Sequence, residues 1–272
     1  MVKYNLNFHE TFAPDRAYLS KILENADIIN ELSKEEISEI TGIPTGKQSG
    51  KVVPHIEYLK FMNLITFNKK NAKYTIKRTP LGNVVYKEDP YLNEKLTGLM
   101  LNYFLTSKLY GAQMWYTIFR EYVYTYGNNI SRKIVTSEIE KYFMKTVKLG
   151  PFNSTYTNKN SFVDLELLDI NNDYYIFNSS GFDYERLYMY LYTLLVELEE
   201  FDDSRKEFTY NEIFDEVKWN IGFQWSKKEA TDILEKFESK DLITINRQLS
   251  PITILLKVSS RDILNEIYSL LL

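Results

Sequence analysis

Residues 33–86 have the sequence SKEEISEITGIPTGKQSGKVVPHIEYLKFMNLITFNKKNAKYTIKRTPLGNVVY. Ser33, followed three residues later by Glu36, forms the capping-box pattern that starts a helix. After a short glycine-containing turn, apolar residues recur between 52 and 62 at the spacing of a second helix. Two strand-like runs within 64–77 then flank a polar tip, as in a hairpin. The order helix, turn, helix and hairpin predicts a winged helix-turn-helix, a fold that binds nucleic acids.

Positive charge is concentrated in this stretch, although the whole chain is acidic. The 272 residues carry a formal net charge of −4. Residues 44–78 contain eight Lys or Arg and one acid, a local charge of +7, whereas residues 182–203 sum to −6. A basic element on an acidic chain suits a local phosphate contact better than a diffuse basic coat does. We therefore expect double-stranded DNA as the partner.

The candidate DNA-binding residues lie in the turn, the second helix and the wing. We predict the second helix over 47–62 and the wing over 64–78, with a tip at Asn68–Asn71. Gln and Lys near the start of a recognition helix can pair with adenine and guanine edges, and wing lysines can contact flanking phosphates. Backbone N–H groups of Gly46 and Gly50 can also approach a phosphate, although a plain turn is an equal alternative. The predicted DNA-binding residues are Thr45, Lys47, Gln48, Ser49, Lys51, His55, Lys69, Lys70 and Lys73.

The remainder of the chain is predicted to be mainly helical with small β-hairpins, so the fold class is mainly α with small β wings (α+β). Residues 1–88 form the winged helix-turn-helix domain, residues 89–203 a helical middle domain with a β-hairpin, and residues 204–272 a C-terminal winged-helix-like domain. In the middle domain we predict strands at 162–167 and 173–177, separated from the preceding helices by a polar loop at 153–160.

The C-terminal domain repeats the pattern of the first with a different charge. A capping-box pattern begins at Thr209, and a second helix is predicted to start near Ser226. A Leu-Ile-Thr step enters the hairpin at Leu242, as it does at Leu64. From residue 205 onward, ten basic residues face eleven acidic ones, which makes a poor phosphate binder. We expect this domain to pack on the rest of the chain or on a protein partner. An apolar helix over 260–272 suggests burial or a homodimer contact.

Catalytic and metal sites are not indicated by the sequence. The chain has two histidines, His9 and His55, and no cysteine, whereas a catalytic zinc site usually takes three His, Cys or carboxylate ligands. The glycine-containing stretch 42–48 is one residue too short between its glycines for a phosphate-binding P-loop, and Gln48 stands where a hydroxyl is needed. We expect no cofactor, no metal and no enzymatic activity.

The composition of the chain indicates where in the cell the protein is expected. No apolar run approaches the roughly 18 residues of a membrane span. The first residues lack the apolar core of a signal peptide. We therefore expect a cytoplasmic protein without membrane contact.

Five motifs in order resemble the DUF4007 family of bacterial proteins, and the likeness spans about residues 8–125. The resemblance implies an uncharacterised activity, in relatives associated with DNA-sulfur-modification and phage-defence gene groups, and it carries over no catalytic residues. The motifs are Phe8-His9-Glu10-Thr11-Phe12, the Gly46-Lys47 turn before His55-Ile56-Glu57-Tyr58-Leu59, Leu64-Ile65, Thr79-Pro80-Leu81-Gly82 and Asp89-Pro90-Tyr91-Leu92.

Three functions remain open from the sequence. The first is a DNA-binding, non-enzymatic component of a bacterial DNA-modification or phage-defence system, with a protein partner in the same complex. The second is a winged-helix transcriptional regulator, and the third is a protein–protein scaffold without DNA binding. The basic helix and wing favour the first two, and the family resemblance favours the first.

Overall fold

The computed structural model describes residues 6–47, 49–248 and 250–271. The chain divides into two compact units, Met1–Asn178 (unit 1) and Ser179–Leu272 (unit 2). Both contain helices and small antiparallel sheets, which confirms the α+β class. The predicted domain boundaries after residues 88 and 203 stay predictions.

Unit 1 begins with a segment at 6–12 that packs into the interior, followed by a helix and a first module of strand, two helices and hairpin. The predicted capping box is present, because Ser33 Oγ accepts from Glu36 N–H and the Glu36 carboxylate accepts from Ser33 N–H. The elements are α1 (Arg16–Glu24), β1 (Leu32–Ser33), α2 (Lys34–Thr41), α3 (Val52–Phe61), β2 (Ile65–Lys70) and β3 (Lys73–Arg78). We call residues 32–78 module 1.

A helical stretch then leads to a second module, at 129–177, which we call module 2. One long helix in this stretch contains a π-helical turn, Thr117–Tyr122, between α6 and α7. The elements are α4 (Pro80–Glu88), α5 (Lys95–Leu105), α6 (Gln113–Tyr116), α7 (Val123–Tyr126), β4 (Asn129–Ser131), α8 (Arg132–Phe143), α9 (Gly150–Thr157), a 3-10 turn (Val163–Leu165), β5 (Leu168–Ile170) and β6 (Tyr174–Phe177).

Two predictions for module 2 are wrong. The predicted polar loop at 153–160 is largely helix α9, whose buried face includes Phe152 and Tyr156. The predicted strand at 162–167 is a 3-10 turn, and the strand begins at Leu168. Phe162 and Leu165 are buried three residues apart, which is the spacing of a 3-10 turn. The predicted strand at 173–177 is confirmed.

Unit 2 contains a long buried helix and a third module, at 207–256, which we call module 3. The predicted capping box forms at Thr209, and the helix predicted to start near Ser226 also begins with a capping box. The apolar helix predicted over 260–272 is only one short α-helix and a 3-10 turn. The elements are a 3-10 turn (Tyr184–Arg186), α10 (Leu187–Phe201), β7 (Glu207–Thr209), a π-helical turn (Glu212–Glu216), a 3-10 turn (Asn220–Phe223), α11 (Lys227–Ser239), β8 (Ile243–Asn246), β9 (Thr253–Leu256), α12 (Ser260–Ile263) and a 3-10 turn (Leu264–Glu266).

The three modules share one topology. Each sheet has three antiparallel strands, in the orders β1-β3-β2, β4-β6-β5 and β7-β9-β8. In each, the strand before the helices pairs with the second strand of the hairpin. The repeat in module 2 was not predicted, because its sheet strands are only three or four residues long and give too few alternating positions to recognise.

Trp115 occupies the centre of the interior of unit 1. Its indole is fully buried, and its ring centroid lies 5.8 Å from those of Phe8, Tyr58 and Phe152. Tyr58 is on α3 and Phe152 is on α9, so the second helices of modules 1 and 2 pack against the same indole. No helix in the described ranges is both long enough and apolar enough to span a membrane.

Candidate nucleic-acid interface

The second helix of module 1 is part of the core rather than an exposed recognition helix. It begins at Val52, not at Lys47 as predicted, and the described residues of 44–51, which are 44–47 and 49–51, form a loop before it. It packs against α1, α2, α5 and β2. Lys60 is its one fully exposed side chain. A helix that reads base edges must bring a polar face into the major groove, and α3 does not offer such a face.

The segment of the first family motif covers α3 on one side. The Phe8 ring packs edge-on against Tyr58 and Phe61, with centroids 4.9 and 4.7 Å apart. The Tyr58 hydroxyl donates to the Phe12 carbonyl oxygen at 3.0 Å. The motif at 8–12 therefore has a structural role, which is to close the core over α3.

His55 is a buried structural residue, so the prediction that it contacts DNA is wrong. The ring is 1% exposed. Its Nε2 accepts from Asp15 N–H at 3.1 Å, and its Nδ1 lies 2.5 Å from the Lys51 carbonyl oxygen, to which it donates. These two bonds fix the neutral tautomer and join the start of α1 to the start of α3. Burial lowers the pKa of His55 to about 4, with the nearby Lys51 charge lowering it and Asp15 opposing.

Both histidines are expected to stay neutral in the folded protein down to about pH 5. Burial also lowers the pKa of His9 to about 4, whereas an unfolded histidine has a pKa near 6.5. Below pH 6.5 the unfolded chain binds more protons, so the free energy of unfolding falls as pH drops from 6.5 toward 4. The slope is about 1.4 kcal/mol per pH unit for each histidine. An NMR titration of the two imidazoles measures this directly, with the urea-unfolded protein as control. A midpoint near 6.5 in the folded protein would contradict the buried, neutral state.

The loop at 44–51 is held in place by charged side chains from two other elements. Lys34 Nζ donates to the carbonyl oxygens of Gly46 and Lys47, at 2.6 and 3.3 Å. The Gly50 N–H donates to Glu10 Oε2 at 3.3 Å. The predicted phosphate contact through the Gly50 backbone is therefore wrong, since that N–H already has an internal acceptor.

Only part of the loop at 44–51 is exposed to solvent. Thr45 is half-buried, and a Cβ placed on Gly50 would lie 2.7 Å from the Thr45 Cα, so the two residues pack tightly. The Lys51 ammonium lies 4.9 Å from the centroid of the Tyr18 ring and is half-buried. Lys47 and Ser49 are exposed, as predicted for contact residues. Gln48 lies outside the described residues.

The hairpin β2–β3 is longer than predicted and has a tighter tip. Lys70 and Lys73 are still paired strand residues, so the turn consists of Asn71 and Ala72. Both have positive φ, 51° and 62°, which is the conformation of a two-residue type I′ turn. The predicted tip at Asn68–Asn71 is therefore mostly strand.

The two faces of the hairpin differ in chemistry. Residues directly opposite in an antiparallel pair share a face, and successive residues alternate between faces. One face is mostly buried and includes Tyr74 and Ile76. Lys69 belongs to this row, with its ammonium 4.9 Å from the centroid of the Tyr74 ring. We call the opposite face the outer hairpin face; it consists of Thr66, Asn68, Lys70, Lys73, Thr75 and Lys77.

The outer hairpin face is positively charged, with three lysines and no acidic side chain. Hydrogen bonds from Ser33 and, less strongly, the charge of Lys73 lower the pKa of Glu36 on α2, so Lys73 is partly compensated from outside this face. Lys70 pairs directly with Lys73 across the strands, an arrangement in which like charges repel. Within the described part of the chain, Lys70, Lys73 and Lys77 form no ion pair. Arg78, by contrast, is bound internally: it pairs with Asp27 and donates to the Leu23 carbonyl oxygen at 2.8 Å. The outer hairpin face is therefore the basic surface of module 1.

The protein is therefore of a class built from repeated strand–helix–hairpin modules, and the hairpin of its module 1 is basic. The chain belongs to the family described as "Protein of unknown function (DUF4007)", whose model matches residues 7–160. The family predicted from the motifs is confirmed. No curated protein matches the chain.

Two solved structures share the fold. An SspB crystal structure has a TM-score of 0.78 and 16% sequence identity, covering 99% of this chain and 88% of that chain. A magnesium ion-bound SspB crystal structure has a TM-score of 0.77 and 15% identity, covering 98% of this chain and 91% of that one. At these identities the likeness shows a common fold and no more.

Proposed function

We propose that this protein binds double-stranded DNA through the outer hairpin face and the exposed residues of the loop at 44–51. The observation that carries the proposal is the Lys70–Lys73 pair. Two like charges held opposite each other destabilise a hairpin, and a polyanion bound across them removes the repulsion. The contacts are to phosphates, because α3 offers no exposed face for reading bases.

We further propose that each module is a winged-helix unit, with β2–β3 as the wing of the first. Three features support this: the order of elements, the strand order of each sheet and the position of the hairpin after the second helix. The departure from a standard DNA reader is the burial of α3, which leaves the wing and the loop at 44–51 to contact the duplex.

The proposed role is that of a non-enzymatic, cytoplasmic component of a bacterial DNA-modification or phage-defence system, acting with a protein partner. The association implied by the DUF4007 resemblance supports this context. His9 and His55 are both buried and neutral at pH 7, so neither is positioned as an acid–base catalyst.

The magnesium ion belongs to one of the SspB structures. Across residues 6–47, 49–248 and 250–271 of this chain, no three His, Asp or Glu side chains come together to hold a metal ion.

Replacing both Lys70 and Lys73 with alanine is expected to weaken DNA binding about 30-fold at 0.15 M salt. Each phosphate contact adds about 0.9 to the slope of log K against log[salt], so the slope should fall by about 1.8. Fluorescence anisotropy with a mixed-sequence duplex across a salt series measures both quantities.

The matched control is Lys228→Ala with Lys236→Ala, which removes the same charge from two exposed positions on α11. Its affinity should equal that of the natural protein. The proposal fails if the natural protein shows no salt-dependent binding, or if the Lys70/Lys73 variant and the control bind equally well.

A further inference from the structure

We infer that the DNA-binding surface extends beyond module 1 onto the loop at 144–149 of module 2, with Lys145 and Lys148 contacting phosphates of the same duplex. This inference rests on the proposed function and adds a second set of contacts to it. It follows from the repeated topology, from contacts that connect the two modules within unit 1, and from the charge of the loop.

The topology makes the loop at 144–149 the counterpart of the loop at 44–51. Each joins the first helix of its module to the second: α2 to α3 in module 1, and α8 to α9 in module 2. Both second helices are largely buried. In each module, therefore, the connecting loop remains at the surface while the helix that follows it packs into the core.

The second helices of the two modules both contact Trp115. The Trp115 indole lies 5.8 Å from the ring of Tyr58 on α3 and 5.8 Å from the ring of Phe152 on α9. Phe152 is in the first turn of α9, directly after the loop at 144–149. The loop is thus fixed to the same core that holds module 1.

Two consecutive residues of the N-terminal segment interact with the two loops, Glu10 by a hydrogen bond and His9 electrostatically. The Glu10 carboxylate accepts from Gly50 N–H in the module 1 loop. His9, the preceding residue, lies against Trp115 with ring centroids 5.8 Å apart. The positive charge of Lys148, in the module 2 loop, contributes to the lowered pKa of His9. Because consecutive Cα atoms are only about 3.8 Å apart, the two loops approach the same dipeptide.

The module 1 loop is connected in turn to the outer hairpin face. Lys34 donates to the carbonyl oxygens of Gly46 and Lys47, and the residue before it, Ser33, pairs with Lys73 in the sheet. Strand pairing at Lys73, the hydrogen bonds of Lys34 and that of Glu10 therefore connect the hairpin, the loop at 44–51 and the N-terminal segment, and the charge of Lys148 acts on His9, the neighbour of Glu10.

The charge of the second loop matches that of the first. The stretch Met144-Lys145-Thr146-Val147-Lys148-Leu149 contains two lysines and no acid, and both lysines are exposed. Among the residues that the structure describes, neither forms an ion pair. A phosphate backbone, which presents a negative charge every 3.4 Å or so along each strand, is the partner that can engage lysines on both modules.

The test replaces Lys145 and Lys148 with alanine, alone and combined with the Lys70/Lys73 pair. Each double variant is expected to bind a mixed-sequence duplex about 30-fold more weakly at 0.15 M salt and to lower the salt slope by about 1.8; the quadruple variant should lower it by about 3.6. The Lys228/Lys236 double alanine variant is the charge-matched control and should behave as the natural protein does. Circular dichroism confirms that each variant is folded, which the exposure of these lysines leads us to expect.

The outcomes separate the two proposals. If the Lys70/Lys73 variant loses affinity while the Lys145/Lys148 variant matches the control, the duplex is confined to module 1 and the extension is wrong, although the proposed function stands. If the natural protein does not bind DNA, both are wrong. Losses in both double variants, with additive salt slopes in the quadruple variant, support a surface that spans the two modules.

Discussion

Replacing Trp115 with alanine is expected to destabilise unit 1 by about 3–5 kcal/mol, the cost of removing a buried tryptophan or phenylalanine side chain from a core. The indole is fully buried and contacts aromatic rings from three separate parts of the chain. These are Phe8 from the N-terminal segment, Tyr58 from α3 and Phe152 from α9. Its loss leaves a cavity between these three rings.

The loss in the free energy of unfolding should exceed what the lost side-chain volume alone would cause, because the contacts are long-range. Phe8, Tyr58 and Phe152 are far apart in sequence. Phe8 and Tyr58 also contact each other directly, with ring centroids 4.9 Å apart, whereas Phe152 contacts the indole from α9. We therefore expect modules 1 and 2 to loosen relative to each other, which increases the exposure of both to protease. Module 3 lies in the other compact unit and should retain its resistance.

Urea unfolding followed by circular dichroism measures the loss, and limited proteolysis identifies the part of the chain that opens first. The control is Trp115→Phe, which keeps an aromatic ring at the site and should cost far less than the alanine variant. If the alanine and phenylalanine variants were equally stable, the aromatic cluster would not be what holds the two modules together.

Local signals in the sequence predicted the parts of the fold that depend on neighbouring residues. The capping boxes at Ser33 and Thr209 formed as expected, because an N-cap and its partner lie within one turn of helix. The hairpin at 65–78 was predicted in place, with its tip displaced. What local signals could not supply was the repeat of the topology at 129–177, where a three-residue strand carries too little alternation to be recognised.

Burial explains the wrong predictions for the candidate site. The apolar spacing of Val52, Ile56 and Leu59 correctly indicated a helix, but it did not reveal that His55 would be enclosed as well. That depends on the start of α1, where Asp15 N–H, 40 residues away in the sequence, donates to the imidazole and the Tyr18 ring packs edge-on against it at 5.2 Å. The sequence located the basic region correctly, while the division of its lysines between the two hairpin faces required the strand register.

The family motifs turn out to be packing motifs in this structure. In the Asp-Pro-Tyr-Leu motif, the Asp89 carboxylate is buried and accepts from the N–H groups of Asn93 and Glu94, at 3.0 and 2.9 Å. The Pro90 carbonyl oxygen accepts from the Ser20 hydroxyl at 2.7 Å, which joins the motif to α1. Motifs with packing roles are informative about the fold and say little about the chemistry. They therefore indicated a family but no reaction.

Replacing Gly82 with alanine is the second change with a large expected effect, a loss of about 3 kcal/mol or more, at or above the upper end of the cost of overpacking. A Cβ at this position would lie 1.9 Å from the Leu64 carbonyl oxygen and 2.9 Å from its carbonyl carbon. Both are backbone atoms, so the clash cannot be relieved by rotating a side chain. Either α4 or the start of the hairpin must move.

The close approach of Gly82 to Leu64 is fixed by hydrogen bonds of Thr79. Thr79 N–H donates to the Leu64 carbonyl oxygen at 3.0 Å, and the Thr79 hydroxyl donates to the Asn63 carbonyl oxygen at 2.6 Å. The same hydroxyl accepts from Gly82 N–H at 2.9 Å and so caps α4. The Thr-Pro-Leu-Gly motif thus holds the first turn of α4 directly against the residue that precedes β2.

Because Leu64 leads into β2, the alanine variant should also shift the outer hairpin face and weaken DNA binding, although no lysine is changed. Thermal unfolding and fluorescence anisotropy on the same sample measure the two effects together. The control is Lys87→Ala, at an exposed position near the end of α4, which should change stability by no more than about 0.5 kcal/mol. Natural stability with reduced DNA affinity in Gly82→Ala would mean that the hairpin moves to accommodate the Cβ. Natural values of both would show that α4 and Leu64 do not approach as closely as the motif requires.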